Sequence, residues 1–113
     1  MKSTSTYIYI AAPYTQNDTV QNVRCAIDIA HEILEKCENV AVFLPHLYHF
    51  WNLMTSCPRS TWTALCLDWL EKCDIVLRLP GESKGADLEV RHAFMLKIPV
   101  VYSLENLLAY IME

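Results

Sequence analysis

The sequence predicts a single α/β domain over residues 1–113, in which helices cover both faces of a four-stranded, or at most five-stranded, parallel sheet. The four strands are expected in the order 2-1-3-4. Three observations predict this three-layer sandwich: a length of 113 residues, a hydrophobic content of 53%, and short apolar runs that alternate with helical patterns. Because the apolar runs scarcely alternate with polar residues, the strands should be buried on both faces, as in a parallel sheet.

The first strand and the first helix have clear signals. Residues 7–12 form a β-prone run that ends at Pro13, which predicts a buried strand followed by a turn. Asp18 and Gln21 then resemble a helix capping box. The helix that follows carries one apolar stripe at steps of three and four residues, made of Val20, Val23, Ile27, Ala30, Leu34 and Cys37.

The rest of the chain repeats this alternation. Three further apolar runs predict strands, at residues 40–44, 75–79 and 98–102. Helical patterns precede or follow them, at residues 60–72, 85–96 and 103–112. Since each right-handed crossover places its helix on one face of the sheet, the order of elements predicts helices on both faces.

The predicted helix at residues 60–72 is apolar nearly all round, which is unusual in so small a domain. Another subunit could cover it, and we then expect a homodimer or homotetramer through the helix that carries Trp62 and Trp69. Alternatively, the aromatic residues 47–51 cover it within the same chain.

Composition excludes several classes of protein. The net charge of −4 has the wrong sign for binding nucleic acid phosphates. The apolar run at residues 7–12 is too short for a signal peptide or a membrane span, so we expect a cytoplasmic protein with no membrane partner. Five cysteines without a CxxC pair predict reduced thiols and no metal site.

The predicted binding site lies beyond the carboxyl ends of strands one and three, where the strand order reverses. The loop after strand one holds Pro13 and Tyr14. The loop after strand three runs through Gly81 and Gly85 into a helix, whose first N–H groups suit an anion. This loop matches neither the Walker A pattern nor the dinucleotide-binding fingerprint.

Glu89 is the candidate catalytic carboxylate. It should lie in the first turn or so of the helix after the glycine loop, where the helix dipole favours the ionised form that can act as a nucleophile. The alternative is a solvated glutamate at a helix start, as we expect for Asp87, which could pair with Arg91. Arg78 stands within an apolar strand, either at its exposed end or paired with a carboxylate such as Asp74.

Three segments, YIAAPYT, PHLYHFWN and CLDWLEKCDIVLRLPGESKGADLEVRHAFMLKIPVVY, resemble the nucleoside 2-deoxyribosyltransferase-like superfamily. The closest resemblance is to a short bacterial and phage branch that shares the PHL, CDxVLRLPGES and GADxEV segments. The resemblance covers nearly the whole chain. It implies a Rossmann-like or flavodoxin-like fold, no cofactor, and either deoxyribosyl transfer between bases or hydrolysis of the N-glycosidic bond of nucleoside 5'-monophosphates.

The resemblance also implies roles for individual residues. Glu89 in GADLEV matches the glutamate that attacks the anomeric carbon of the sugar and forms a covalent ester. Ser83 matches a serine that contacts the 5'-phosphate in the hydrolases, and Tyr9 matches a tyrosine of the first strand. The substrate-binding set that we expect on this basis is Ser83, Gly81, Gly85, Ala86, Pro13, Tyr14, His46 and Arg24.

Two segments depart from the superfamily pattern. Its catalytic aspartate aligns with Cys66, and Asp68, two residues further on, would be turned by about 200° on a regular helix. The phosphate-gripping loop of the hydrolases is replaced by residues 12–15, which leaves Arg24 or Lys84 to supply positive charge. Two functions therefore stay open: a glycosyl-transfer enzyme with Glu89, Asp68 and Tyr9 as its catalytic residues, and a non-catalytic module that binds a nucleotide.

Overall fold

The computed structural model describes residues 5–112, and its sheet has the predicted strand order, β2-β1-β3-β4, with all neighbouring strands parallel. The strands are β1 (Thr6–Ala11), β2 (Val40–Phe43), β3 (Ile75–Arg78) and β4 (Val100–Val101). The helices are α1 (Thr19–Lys36), α2 (Tyr48–Met54), α3 (Arg59–Leu70), α4 (Lys84–Met95) and α5 (Leu104–Ile111). The predicted α/β sandwich is confirmed with four strands in this range. The ends of the predicted domain, residues 1–4 and 113, lie outside the described residues.

The two central strands, β1 and β3, build the core from both faces of the sheet. Ile8 lies beside Ile75 and Ile10 beside Leu77 in the parallel register, and all four side chains are fully buried. They belong to a hydrophobic cluster on one face of the sheet, together with residues of α1 and α5. Because β1 and β3 are covered on both faces of the sheet, their sequences are uninterrupted apolar runs.

The opposite face of the sheet packs against α3 and α4. Tyr9 and Val76 project from the central strands into a second cluster, which they share with Cys66 and Leu70 of α3 and Ala93 of α4. Since side chains alternate along a strand, Tyr9 lies on the face opposite to its neighbours in the chain. The side chain of Tyr9 is thereby directed between the helices that border the candidate site.

Side-chain caps fix where three helices begin. Asp18 accepts a hydrogen bond from the backbone N–H of Gln21 at 3.1 Å, which confirms the predicted cap of α1. Ser83 accepts from the N–H of Ala86 at 3.1 Å, and Ser103 caps α5 in the same way. Each such cap contributes about 1 kcal/mol. The Ser83 cap also places the start of α4 at the carboxyl edge of β3.

A short 3₁₀ turn over Pro45–Leu47 leads into α2, a helix that the sequence pattern did not predict. Tyr48 of α2 stacks on Trp62 of α3 with ring centroids 5.2 Å apart, and Trp51 meets the same indole edge-on at 5.4 Å. The aromatic segment at residues 47–51 therefore covers the part of α3 around Trp62 within the same chain, which is one of the two alternatives expected. Trp69 stacks on Phe43 and is 51% exposed. The homodimer or homotetramer through this helix stays a prediction.

None of the helices between residues 5 and 112 is both long enough and apolar enough to cross a membrane.

Candidate active site

A cavity of about 520 Å³ opens at the carboxyl edge of the sheet, between the segments that follow β1, β2 and β3. Its volume is in the range of sites that bind small molecules. Helix α3 borders one side of the cavity, and the start of α4 borders another. The wall includes six of the residues predicted from the sequence: Tyr14, His46, Ser83, Gly85, Ala86 and Glu89.

Glu89 lines the cavity from the second turn of α4, and its carboxylate accepts a hydrogen bond from the hydroxyl of Tyr9 on β1. Burial raises the pKa of Glu89 to about 7, while the Tyr9 hydrogen bond and the positive charge of Arg78 act in the opposite direction. The expectation that the helix dipole would favour the ionised form is corrected here, because desolvation dominates. The Glu89 carboxyl therefore changes its charge near neutral pH.

Tyr9 and Cys66 complete a buried group around this carboxyl. Burial raises the pKa of the Tyr9 hydroxyl, and the nearby Glu89 raises it further. Cys66 projects from α3 beside Tyr9, and burial, followed by the charge of Glu89, raises the pKa of its thiol to about 12. Both side chains are therefore neutral at physiological pH. Among these three residues, only Glu89 changes its charge near neutrality.

The start of α4 forms the polar side of the cavity. Ser83 uses its oxygen to cap the helix, which leaves its O–H able to donate to a ligand. Lys84 and Gly85 lie next to it in the wall. A methyl group at Gly85 would meet only the Ser83 hydroxyl oxygen, at 4.0 Å, so the backbone is open to the cavity. Free N–H groups at a helix start and a lysine together favour an anion.

Gly81 and Pro13 join the two loops rather than line the cavity. Gly81 has a φ of 119°, which disfavours other residues, and a Cβ there would lie 2.7 Å from Cγ of Pro13. The carbonyl of Pro13 accepts a hydrogen bond from Nε2 of His46 at 2.8 Å. Both residues predicted to bind the substrate thus lie where the loops after β1 and β3 meet, and neither lines the cavity.

Arg78 holds the glycine loop from beneath. Its guanidinium is largely buried and donates to the carbonyl of Gly81 at 2.9 Å and to the carboxylate of Asp87 at 3.1 Å. Of the two expected environments, the paired one is present, but the partner is Asp87 and not Asp74. Asp74 instead accepts from a backbone N–H of β1. The prediction that Asp87 pairs with Arg91 on the surface is therefore wrong, because Asp87 pairs with Arg78.

His46 is buried at the cavity wall as a neutral imidazole. Since a carbonyl oxygen only accepts, Nε2 must carry the proton that it donates to Pro13. Burial lowers the pKa of His46, so Nδ1 is an unprotonated acceptor, and it has no hydrogen-bond partner within residues 5–112. The ring meets Tyr14 edge-on at 5.8 Å. His46 therefore shapes the wall and fixes the first loop.

The structure does not bring Asp68 and Arg24 to the cavity. Asp68 lies on the exposed side of α3, whereas Cys66, two residues earlier, faces the site. This is the rotation expected for a regular helix. Arg24 pairs with Asp28 of the same helix at 3.5 Å, and its side chain is 73% exposed.

Much of the cavity wall was not predicted from the sequence. One face of α3 borders the cavity through five residues spaced three and four apart: Arg59, Trp62, Thr63, Cys66 and Leu67. This spacing, with Arg59 and Thr63 as the polar residues of the face, was the available signal. From α2, Asn52 reaches the same wall, without any local pattern that singles it out. No group of three or more His, Cys, Asp or Glu side chains within residues 5–112 is arranged to hold a metal ion.

The parallel sheet of order 2-1-3-4, with a cavity at its carboxyl edge, places the protein among flavodoxin-like α/β domains that bind ligands at that edge. A solved structure with a similar fold is that of a 2-deoxyribosyltransferase from the psychrotolerant bacterium Bacillus psychrosaccharolyticus. The TM-score is 0.62 at 19% sequence identity, and the match covers 84% of this chain and 69% of the other. At this identity the similarity shows the fold alone.

The sequence matches the family described as Domain of unknown function (DUF7768) over residues 6–103, and the chain belongs to that family. The curated proteins contain no match to the chain.

Proposed function

We propose that the protein cleaves the N-glycosidic bond of a nucleoside or a nucleoside 5'-monophosphate, by hydrolysis or by transfer of deoxyribose, with Glu89 as the nucleophile. One observation carries the proposal: a partly buried carboxyl group in the wall of a cavity, held there by the Tyr9 hydroxyl. Burying such a group destabilises the fold, and a strongly perturbed pKa inside a cavity is typical of functional sites. The similar fold of the 2-deoxyribosyltransferase supports this class of reaction.

The reaction uses Glu89 in its ionised form. A carboxylate oxygen attacks the anomeric carbon, a C–O bond forms, and the C–N bond breaks with its electron pair leaving on the base, which takes up a proton. The resulting sugar ester reacts with water in hydrolysis or with a second base in transfer. Tyr9 stays protonated throughout and orients the carboxylate through its hydrogen bond.

The polar side of the cavity supports a phosphate at the 5' position. Ser83 retains a hydroxyl donor, Lys84 adds positive charge, and the N–H groups at the start of α4 face the same region. These groups are on the same helix as Glu89, so a phosphate held there would bring the attached sugar towards the carboxylate. Arg24, which is exposed and paired on α1, is not part of this proposal.

A second candidate function is a module that binds a nucleotide without cleaving it. The observation that favours it is the position of Asp68, which points away from the cavity while the neutral thiol of Cys66 faces the carboxyl. This arrangement leaves the group around Glu89 without a second carboxyl to protonate the departing base. Both functions use the same cavity, so binding of a nucleotide alone does not separate them.

The test is to incubate the protein with a panel of 2'-deoxynucleosides and their 5'-monophosphates and to measure release of the free base. We expect release by the wild type and its loss in Glu89→Gln. The matched control is Glu38→Gln, which makes the same chemical change at an exposed residue before β2, at the opposite edge of the sheet. Rapid acid quenching and mass spectrometry should detect a pentose attached to the wild type and not to Glu89→Gln.

Two results would argue against the enzyme. Tight binding without base release from any member of the panel supports the binding module. Base release that persists in Glu89→Gln shows that another group performs the attack.

A further inference from the structure

We infer that the nucleobase binds against the wall formed by α2 and α3, and that Asn52 selects bases that present a hydrogen-bond acceptor, such as a carbonyl oxygen, over bases that present an amino group. The inference rests on the proposed function, because it concerns the same cavity. It assigns a role to a wall that is separate from the anion-binding start of α4 and from the carboxyl group itself.

The orientation of the Asn52 amide is fixed by its neighbours. Its oxygen accepts from the indole N–H of Trp62 at 2.8 Å and from the backbone N–H of Cys57 at 3.1 Å. Both partners can only donate, so the atom that faces them must be the oxygen. The NH₂ group has no acceptor within the described part of the chain. Because Asn52 lines the cavity, it offers a ligand only donors.

Flat aromatic rings line the same cavity. Trp62 and Tyr48 stack on each other at an interplanar angle of 26°, and both line the cavity. Tyr14 and His49 also line it, and they are joined by a hydrogen bond of 2.6 Å between the Tyr14 hydroxyl and Nδ1 of His49. Such rings can stack on the faces of a nucleobase, whereas the Asn52 amide can hydrogen-bond to its edge.

Helix α3 relates Asn52 to the reacting group. Trp62, which holds the amide, and Cys66, which lies beside Tyr9 and Glu89, are four residues apart on one face of α3. Four residues correspond to about 6 Å along a helix. Asn52 and Glu89 therefore border the cavity next to successive turns on the same face of α3.

A charged side chain on this wall reinforces the same selection. Arg59 begins α3 and lines the cavity, and a guanidinium carries donors and no acceptor. An amino group placed opposite these donors would lose its hydrogen bonds to water without replacement. The expected cost is a roughly 10- to 100-fold weaker complex.

The experiment compares pairs of nucleotides in which a carbonyl group and the adjacent ring N–H of one base are replaced by an amino group and an unprotonated ring nitrogen in the other. Suitable pairs are the 5'-monophosphates of 2'-deoxyuridine and 2'-deoxycytidine, and those of 2'-deoxyinosine and 2'-deoxyadenosine. Binding is measured by calorimetry with Glu89→Gln, which separates recognition from turnover, and base release is measured with the protein that retains Glu89. We expect the carbonyl member of at least one pair to bind about 10-fold or more tightly than its amino partner.

The decisive variant is Asn52→Asp. It keeps an oxygen for the N–H groups of Trp62 and Cys57 and replaces the NH₂ group by an acceptor, so the preference within the pair should reverse. The exposed Asn106→Asp on α5 is the matched control and should leave the ratio unchanged. A second variant, Trp62→Phe, removes one of the two donors that orient the amide, and the ratio should then move towards one.

The outcomes separate the two proposals. Base release that is absent for every substrate, together with a binding preference that reverses in Asn52→Asp, refutes the enzyme and supports this inference. A binding preference that is unchanged in both Asn52→Asp and Trp62→Phe overturns the inference.

Discussion

Replacing Glu89 with glutamine should stabilise the folded protein at alkaline pH far more than at acidic pH. Glutamine is neutral and has the same shape, and its carbonyl oxygen can still accept the hydrogen bond from Tyr9. The substitution therefore removes the charge of Glu89 while leaving its packing and its hydrogen-bond partner in place. A glutamate on the surface would show no such gain.

The magnitude follows from the pKa of Glu89, which burial raises from an ordinary value of 4.5 to about 7. One pKa unit corresponds to about 1.36 kcal/mol, so ionised Glu89 lowers the free energy of unfolding by about 3 kcal/mol. Because the folded protein binds the proton more tightly than the unfolded chain, wild-type stability falls as the pH rises from about 4.5 to about 7. The advantage of Glu89→Gln should be about 3 kcal/mol at pH 8 and about 1 kcal/mol at pH 5.

Urea unfolding at pH 5 and pH 8, followed through the fluorescence of the three tryptophans, measures this difference. Glu38→Gln, the exposed counterpart, should unfold like the wild type at both pH values. The reasoning is refuted if Glu89→Gln has no advantage at pH 8, or the same advantage at both values. Either result would mean that the Glu89 carboxyl is not desolvated in the folded protein.

Three further substitutions test the surroundings of this carboxyl. Tyr9→Phe removes a hydrogen bond that lowers the pKa of Glu89, so the pH at which base release is half-maximal should rise by about one unit, as a pH–rate profile would show. Arg78→Met removes a positive charge that also lowers the pKa of Glu89, so the pH–rate profile should again move to higher pH. Arg78→Lys keeps the charge, so its profile should lie closer to that of the wild type. Gly81→Ala should cost about 1–3 kcal/mol in urea unfolding because of its positive φ, whereas Gly85→Ala should change stability by less than about 1 kcal/mol.

Local signals were sufficient to predict the sheet and most of the helices. The predicted helices at residues 60–72 and 85–96 correspond to Arg59–Leu70 and Lys84–Met95, because apolar runs, caps and prolines act over a few residues. Helix α2 lacks a comparable signal. Its apolar residues are nearly continuous, with Phe50, Trp51, Leu53 and Met54 all exposed, so no stripe distinguishes an inner face.

The properties of the site depend on contacts between distant segments, and these are not visible in the sequence. Glu89 and Tyr9 are 80 residues apart, and only the fold decides that the carboxyl is desolvated. The choice of Asp87 over Asp74 as the partner of Arg78 depends in the same way on where α4 begins. The helical period, in contrast, follows from the sequence alone, and it predicts that Cys66 and Asp68 project in different directions. In the structure Cys66 faces the cavity and Asp68 does not.

The thiol of Cys66 has a consequence for how Glu89 can act. A carboxylate in its place would add a second negative charge beside Glu89 and would raise the pKa of Glu89 further, because like charges disfavour ionisation. The thiol is neutral, since its pKa is about 12. Cys66 therefore adds no negative charge next to Glu89. Under the proposed function, Glu89 is therefore a nucleophile that ionises near neutral pH, and Cys66 offers no carboxyl group that could protonate the base. A base that leaves readily, or that is protonated by water in the cavity, is the kind of leaving group that this arrangement can serve.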